Sequence, residues 1–136
     1  MSVKASVLIV DDDKYIRDIL SRIVTREGYK TETADDGVEA FDKIRASDFN
    51  FVISDVNMPK MDGIELLKKI KEYDNNILVL LITSKAGKYS ADNILKIGAD
   101  FFITKPFKNA EIAKTLDTLN SKRIRRQKKE LKPATV

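Results

Sequence analysis

The sequence predicts an α/β domain built on a doubly wound, five-stranded parallel sheet. Five apolar strand-like runs alternate with five helical patterns along 136 residues, an alternation that gives right-handed crossovers and helices on both faces. The first run is bounded by charged residues and is apolar throughout, as a strand covered on both sides must be. Four of the five runs also end in polar residues: Asp11, Asp12 and Asp13 after the first, Asp55 after the third, Thr83 after the fourth, and Lys105 with Pro106 after the fifth. In open α/β sheets the ligand site lies outside the carboxyl ends of the strands, so these groups are expected to converge on one pocket.

The elements follow in order. Residues 5–10 form the first strand; Ile16, Ile19, Leu20 and Ile23 mark the first helix, which Gly28 closes. Residues 29–33 give a short second strand, followed by a helix marked by Val38, Phe41 and Ile44. Residues 49–54 form the central strand leading into Asp55, and Ile64, Leu67 and Ile70 mark the third helix. Residues 77–82 are the fourth strand, before a weaker helix containing Ala91, Ile94 and Leu95. Residues 101–104 are the fifth strand, and Ile112, Leu116 and Leu119 give the last helix its buried face. No repeat or low-complexity segment interrupts the pattern.

Composition narrows the chemistry. At 15.4 kDa with 43% hydrophobic residues, the chain suits one domain with a real core. Cysteine and histidine are both absent, which excludes disulfides, thiol metal sites, an imidazole base and any phosphohistidine on this chain. No apolar run approaches the roughly 20 residues of a spanning helix, and the N-terminus lacks a signal-peptide pattern. A soluble, cytoplasmic protein is expected, with no membrane partner. The net charge of +4 conceals a division: residues 121–136 carry seven Lys or Arg against Glu130 alone, a balance of +6, leaving −2 on residues 1–120. The expected organisation is therefore a domain over 1–120 and a basic extension of the last helix over 121–136. Ile124 and Leu131 leave only a thin apolar stripe there, and a solvated extension or stub of linker is favoured over a partner-binding helix.

Each polar strand end has an ordinary structural explanation. The aspartates at 11 to 13 can cap the first helix, Asp55 can serve a turn, Thr83 can be a β-branched strand end and Lys105 a surface cation. Together they make a divalent-cation and phosphoryl site. Asp11, Asp12 and Asp55 carry −3, which Mg²⁺ and the Lys105 ammonium balance, and magnesium favours a few carboxylates and a carbonyl over a closed cage. Asp55 then becomes a nucleophile toward phosphorus, with the cation and Lys105 offsetting the charge of the donor.

The segments VLIVDDD, ISDVNMPKMDGIELL, LLITS and GADFFITKPF resemble, in order and spacing, the signatures of the receiver domains of two-component response regulators, over about residues 5–120. The strand order 2-1-3-4-5 and the flavodoxin-like fold come with that resemblance, not from periodicity. It implies a CheY-like switch, not an enzyme with turnover, in which Asp55 accepts a phosphoryl group from the phosphohistidine of a sensor histidine kinase. Asp12 and Asp55 would ligate Mg²⁺ through side chains, Asn57 through its carbonyl and Asp11 chiefly through water. Lys105, preceding a cis proline bond, would contact the phosphoryl oxygens; Thr83 would move to the phosphorylated aspartate, and Phe102 would turn inward behind it. Met58, Pro59 and Gly63 would shape the loop over the site. The surface of the fourth helix, fifth strand and fifth helix would then change its affinity for an unidentified partner, through couplings of about 1 to 3 kcal/mol.

The chain departs from regulators that pair through charges on this surface: Phe101 stands where an acid is expected, and Ala91 and Thr115 where charged partners are. A monomer is expected, and direct transcriptional control is not. Asn57 and Lys85 occupy variable positions beside the phosphoryl group, and Lys85 is expected to shield it from water. Further readings are a phosphorelay intermediate, a receiver cut from a larger regulator, an aspartyl-phosphate phosphatase, and a flavin or nucleotide carrier. The phosphatase would want a second aspartate where Asn57 stands. The carrier would want Gly, Ser or Thr where Asp11, Asp12 and Asp13 stand. Any role in binding nucleic acid could rest only on the tail.

Overall fold

A computed structural model describes residues 3–84 and 90–131. Its elements run β1 (Ser6–Val10), α1 (Lys14–Arg26), β2 (Lys30–Ala34), α2 (Gly37–Ala46), β3 (Phe51–Asp55), α3 (Gly63–Tyr73), β4 (Leu78–Ser84), α4 (Ala91–Ile97), β5 (Phe101–Lys105) and α5 (Asn109–Leu131). All strands pair in parallel, in the order β2-β1-β3-β4-β5. The expected fold class and topology are what the chain adopts.

Successive side chains on a strand point to opposite faces, and along most of the central strands β1, β3 and β4 both sets are apolar. Val7, Ile9, Phe51, Ile53, Leu80 and Ile82 pack with Leu20, Ile23, Val24, Ile112 and Leu116 of α1 and α5. Leu8, Val10, Val52, Val79 and Leu81 pack on the other side with Ala40, Ile44, Leu67, Ile70 and Ile94 of α2, α3 and α4. This two-sided burial is why the strands read as apolar runs. Truncating one of the fully buried Leu or Ile residues to Ala costs about 2–5 kcal/mol.

Helix starts are set by side-chain caps. Asp13, Asp36, Asp62 and Ser90 accept backbone N–H groups in the first turns of α1, α2, α3 and α4. Of the three consecutive aspartates, then, Asp13 is the cap, which leaves Asp11 and Asp12 free for other work. Gly28 ends α1 at φ 98°, in the left-handed region that glycine tolerates.

Several details differ from the expectations. The third strand starts two residues late, at Phe51, because Asn50 forms a corner: its N–H donates to the Ser6 carbonyl and its side chain accepts the Ser6 N–H. It also includes Asp55, which pairs with Ile82. Tyr29 lies outside β2, buried edge-on against Phe51, and donates its hydroxyl to Asp117 at 2.8 Å. Of the residues that mark α2 and α4 in the sequence, Val38 and Leu95 are exposed, while Ile44 and Ile94, with Ala40, cover the sheet.

α5 is buried through Leu119 and Asn120. The next anchor is Arg123, which donates to Asn120 Oδ1 and to the Lys4 carbonyl, with its guanidinium 5.9 Å from the Phe51 ring. Contact with the domain thus reaches a few residues past 120, and the helix continues unbroken to Leu131. No described helix is long and apolar enough to cross a membrane.

Candidate functional site

β1 and β3 are sheet neighbours, while the chain leaves β1 toward β2 on its other side. Strand order reverses here, and a crevice opens at the carboxyl ends. Asp11 follows β1 directly and Asp55 ends β3, so the topology brings the two acids together. Carboxylate oxygens of Asp11, Asp12 and Asp55 all lie within 4.8 Å of one another. Asp11 is 1% exposed and Asp55 7%, whereas Asp12 faces solvent.

Among the described residues, one ammonium faces these acids. Lys105, at the end of β5, places Nζ 3.2 Å from Asp55 Oδ2 and 3.8 Å from Asp11 Oδ2. Asp55 Oδ1 accepts the Asn57 N–H at 3.3 Å, and Asp11 Oδ1 accepts the Asp13 N–H at 2.9 Å. Asp11 Oδ2 is buried without a hydrogen-bond donor, a costly condition for a carboxylate oxygen. Burial pushes the Asp11 carboxyl up from 3.8 to about 6; the Asp13 N–H and Lys105 oppose the rise, and the charges of Asp55 and Asp12 add to it. An all-oxygen donor set with surplus negative charge and a buried oxygen that accepts no hydrogen bond suits a hard divalent cation.

The surroundings hold this geometry. Gly63 starts α3 against the backbone of Asp55: a Cβ there would lie 2.3 Å from the Asp55 carbonyl oxygen and 2.8 Å from Val56 Cα. Its N–H donates to the Val56 carbonyl at 2.8 Å, closing the loop between β3 and α3. Lys60 in that loop has φ 68° and reaches Asp36, the cap of α2, at 3.4 Å. Ser54 Oγ donates to the Asp55 carbonyl, and Arg17 from α1 donates to the Asp11 carbonyl at 2.6 Å. The Lys105–Pro106 peptide is cis.

Of the residues singled out from sequence, Asp11, Asp12, Asp55 and Lys105 form one cluster, and Asn57 joins it through its backbone. Thr83 is buried near the end of β4, donates to the Ser84 carbonyl and pairs with Thr104. Phe102, half-buried, packs against the α2, α3 and α4 side of the core and stacks on the exposed Phe101, with ring centroids 6.1 Å apart. Lys85 lies outside the described residues. Sequence reasoning missed Arg17, whose only signal is a helical position one turn after Asp13 on the strand-end side, and the Lys60 to Asp36 contact, which depends on two loops meeting.

A family model described as the response regulator receiver domain matches residues 7–117. The chain belongs to this family. Among curated relatives, the receiver is 37% identical over 108 residues to the transcriptional regulatory protein CpxR homolog of Haemophilus influenzae, covering 79% of this chain and 47% of that protein. It is 34% identical over 130 residues to the response regulator MprA of Mycobacterium bovis, covering 96% and 54%. The chain thus spans about half the length of these relatives. Among solved structures it is similar to the chemotaxis response regulator CheY4 of Vibrio cholerae, with TM-score 0.78, 35% identity and coverage of 85% and 98%. A CheY-like receiver from Methanospirillum hungatei gives TM-score 0.85 at 30% identity, covering 92% and 99%. NtrX from Brucella abortus matches all of this chain with 31% of its own length, at TM-score 0.86 and 28% identity.

Proposed function

We propose that this receiver is a Mg²⁺-dependent phosphorylation switch whose phosphoacceptor is Asp55. The observation that carries the reading is the charge imbalance at the strand ends, where, among the described residues, three carboxylates meet one ammonium and one buried carboxylate oxygen has no hydrogen-bond donor. Asp12 and Asp55 would hold the ion by side chains, Asn57 by its carbonyl and Asp11 through water. The bound ion supplies charge neutralisation for an incoming phosphoryl group.

The donor is a phosphohistidine on a sensor kinase, which would place the switch in the cytoplasm. An Asp55 oxygen attacks phosphorus as the bond from phosphorus to the kinase imidazole breaks; the electron pair leaves with the imidazole nitrogen. Lys105, already hydrogen-bonded to Asp55, stays beside the transferred oxygens as charge develops on them. A groove of about 440 Å³ lined by Ile16, Ile19, Pro106 and Phe107 borders Lys105 and offers the kinase an apolar footing. Water later reverses the modification, so the chain catalyses only its own phosphorylation and dephosphorylation.

Thr83 and Lys105 carry the signal outward. Both sit at ends of adjacent strands, one residue apart in register, so a doubly charged group at Asp55 that draws them in biases Phe102 and the α4, β5 and α5 surface. Phe101 is 45% exposed there, so an apolar contact is available to the downstream partner.

The test is incubation with a small-molecule phosphodonor, read by intact mass. Wild type with Mg²⁺ should gain one phosphoryl group, and Asp55→Asn or wild type in EDTA should gain none. Continuous turnover of a phosphomonoester would show a phosphatase instead.

A further inference from the structure

Past Asn120 the last helix outruns the domain, and its free surface has a single chemistry. Residues 121–130 contain six Lys or Arg against Glu130, and all ten are exposed except half-buried Arg123. The helix divides them. Arg123, Arg126, Gln127 and Glu130 turn toward the domain, lining a groove with Asp48 and Asp74. Lys122, Arg125, Lys128 and Lys129 lie on the opposite side. At 100° and 1.5 Å per residue they fall within an arc of about 120° and a length of about 10 Å. Among the described residues, none of these four is paired with a carboxylate.

We propose that this cationic face binds the phosphate backbone of duplex DNA without sequence preference. The alternatives need groups that the face lacks. A helix that lies in a membrane surface requires a broad apolar side, and residues 121–131 offer only Ile124 and, one heptad on, Leu131. A protein partner is anchored by buried aromatic or aliphatic side chains at the centre of the contact, and the arc has none. Single strands are held by stacking on aromatic rings, yet residues 108–136 hold no aromatic side chain. Duplex RNA closes its major groove to a helix, whereas that of B-DNA admits one. What remains is charge complementarity with a regular polyanion. The first 120 residues carry −2, so the extension alone attracts DNA and also sets the orientation of approach. Phosphate contacts position a protein but carry no base information, hence the lack of sequence preference. The idea does not depend on the phosphoacceptor reading, and failure of either leaves the other standing.

The test uses the full chain and a fluorescent duplex of arbitrary sequence, with anisotropy measured across a KCl series. With four cations releasing counterions, log K against log salt should have a slope of about −3.6, so affinity falls roughly 10²-fold between 50 and 200 mM. The combined Lys122→Gln, Arg125→Gln, Lys128→Gln and Lys129→Gln variant should lose at least about tenfold in affinity and most of the slope. A second variant removes four exposed cations elsewhere, Arg22→Gln, Lys30→Gln, Lys68→Gln and Lys96→Gln, and should keep the wild-type slope. Helicity by circular dichroism and an unchanged urea unfolding midpoint show that each variant is folded; if the combined variant is not, each single Gln substitution should reduce the slope by about 0.9. The proposal is overturned by equal losses in the two variants, by absence of binding at 50 mM salt, by tighter binding to single strands or duplex RNA, or by binding to phosphatidylserine vesicles but not duplex DNA.

Discussion

Asp11→Asn should make the metal-free receiver more stable at neutral pH while weakening its hold on a cation. In the folded chain the Asp11 carboxyl is raised from 3.8 to about 6, chiefly by burial. The folded state therefore binds this proton more tightly than the unfolded state does. The stability contributed is complete below about pH 3.8 and is lost as pH rises through about 6. A gap of roughly two units, at about 1.36 kcal/mol each, makes the ionised carboxylate a penalty of about 3 kcal/mol at pH 7. Asparagine stays neutral throughout, and its side-chain oxygen can still accept the Asp13 N–H. Urea unfolding in EDTA should therefore show the stability of the variant relative to wild type climbing by up to about 3 kcal/mol from pH 4 to 7, then levelling. Millimolar Mg²⁺ should shrink the difference, because a ligand bound only by the folded state stabilises wild type more. A difference that is flat or falling over that pH range would refute the claim that Asp11 is held charged at a cost in the folded protein.

Other outcomes follow from the same geometry. Gly63→Ala should destabilise the domain by about 2–3 kcal/mol and slow phosphodonor labelling, since its Cβ would displace the Asp55 carbonyl 2.3 Å away; chemical denaturation and labelling rate check both. Lys105→Met removes the ammonium paired with Asp55 and Asp11, so calorimetry should find Mg²⁺ bound several-fold more tightly while the signalling response is lost. Asp100→Ala should cost about 2–3 kcal/mol, because Asp100 Oδ2 accepts both Lys71 Nζ and the Val79 N–H at 2.8 Å; Lys71→Met should cost less, since that N–H bond survives.

The sequence disclosed the layout of the sheet because two-sided burial writes itself as apolar runs, and the site because acids and a lysine recur where those runs stop. Asp55, Lys105, Asp11 and Asp12 were legible for that reason. Asp13 was ambiguous: its capping role shows only once α1 has a defined first turn. Val38 and Leu95 mark real helices yet are exposed, because helical spacing gives a face several residues wide without saying which edge the neighbouring elements cover. Arg17 and the Lys60 to Asp36 contact were invisible, as each joins elements through the backbone or across loops, leaving no periodic mark. The close approach of Gly63 to Asp55 is likewise a property of the folded loop, although the glycine itself stood in the motif.

The central claim is that Asp55 is reversibly phosphorylated, as an acyl phosphate, in a cation-dependent pocket. After reaction with a phosphodonor and Mg²⁺, borohydride reduction converts an aspartyl phosphate to homoserine, and peptide mapping locates it. Homoserine at position 55 alone, absent when EDTA replaces Mg²⁺, is the expected result. Homoserine at Asp11 or Asp12, equal labelling in EDTA, or none at position 55 would contradict the account.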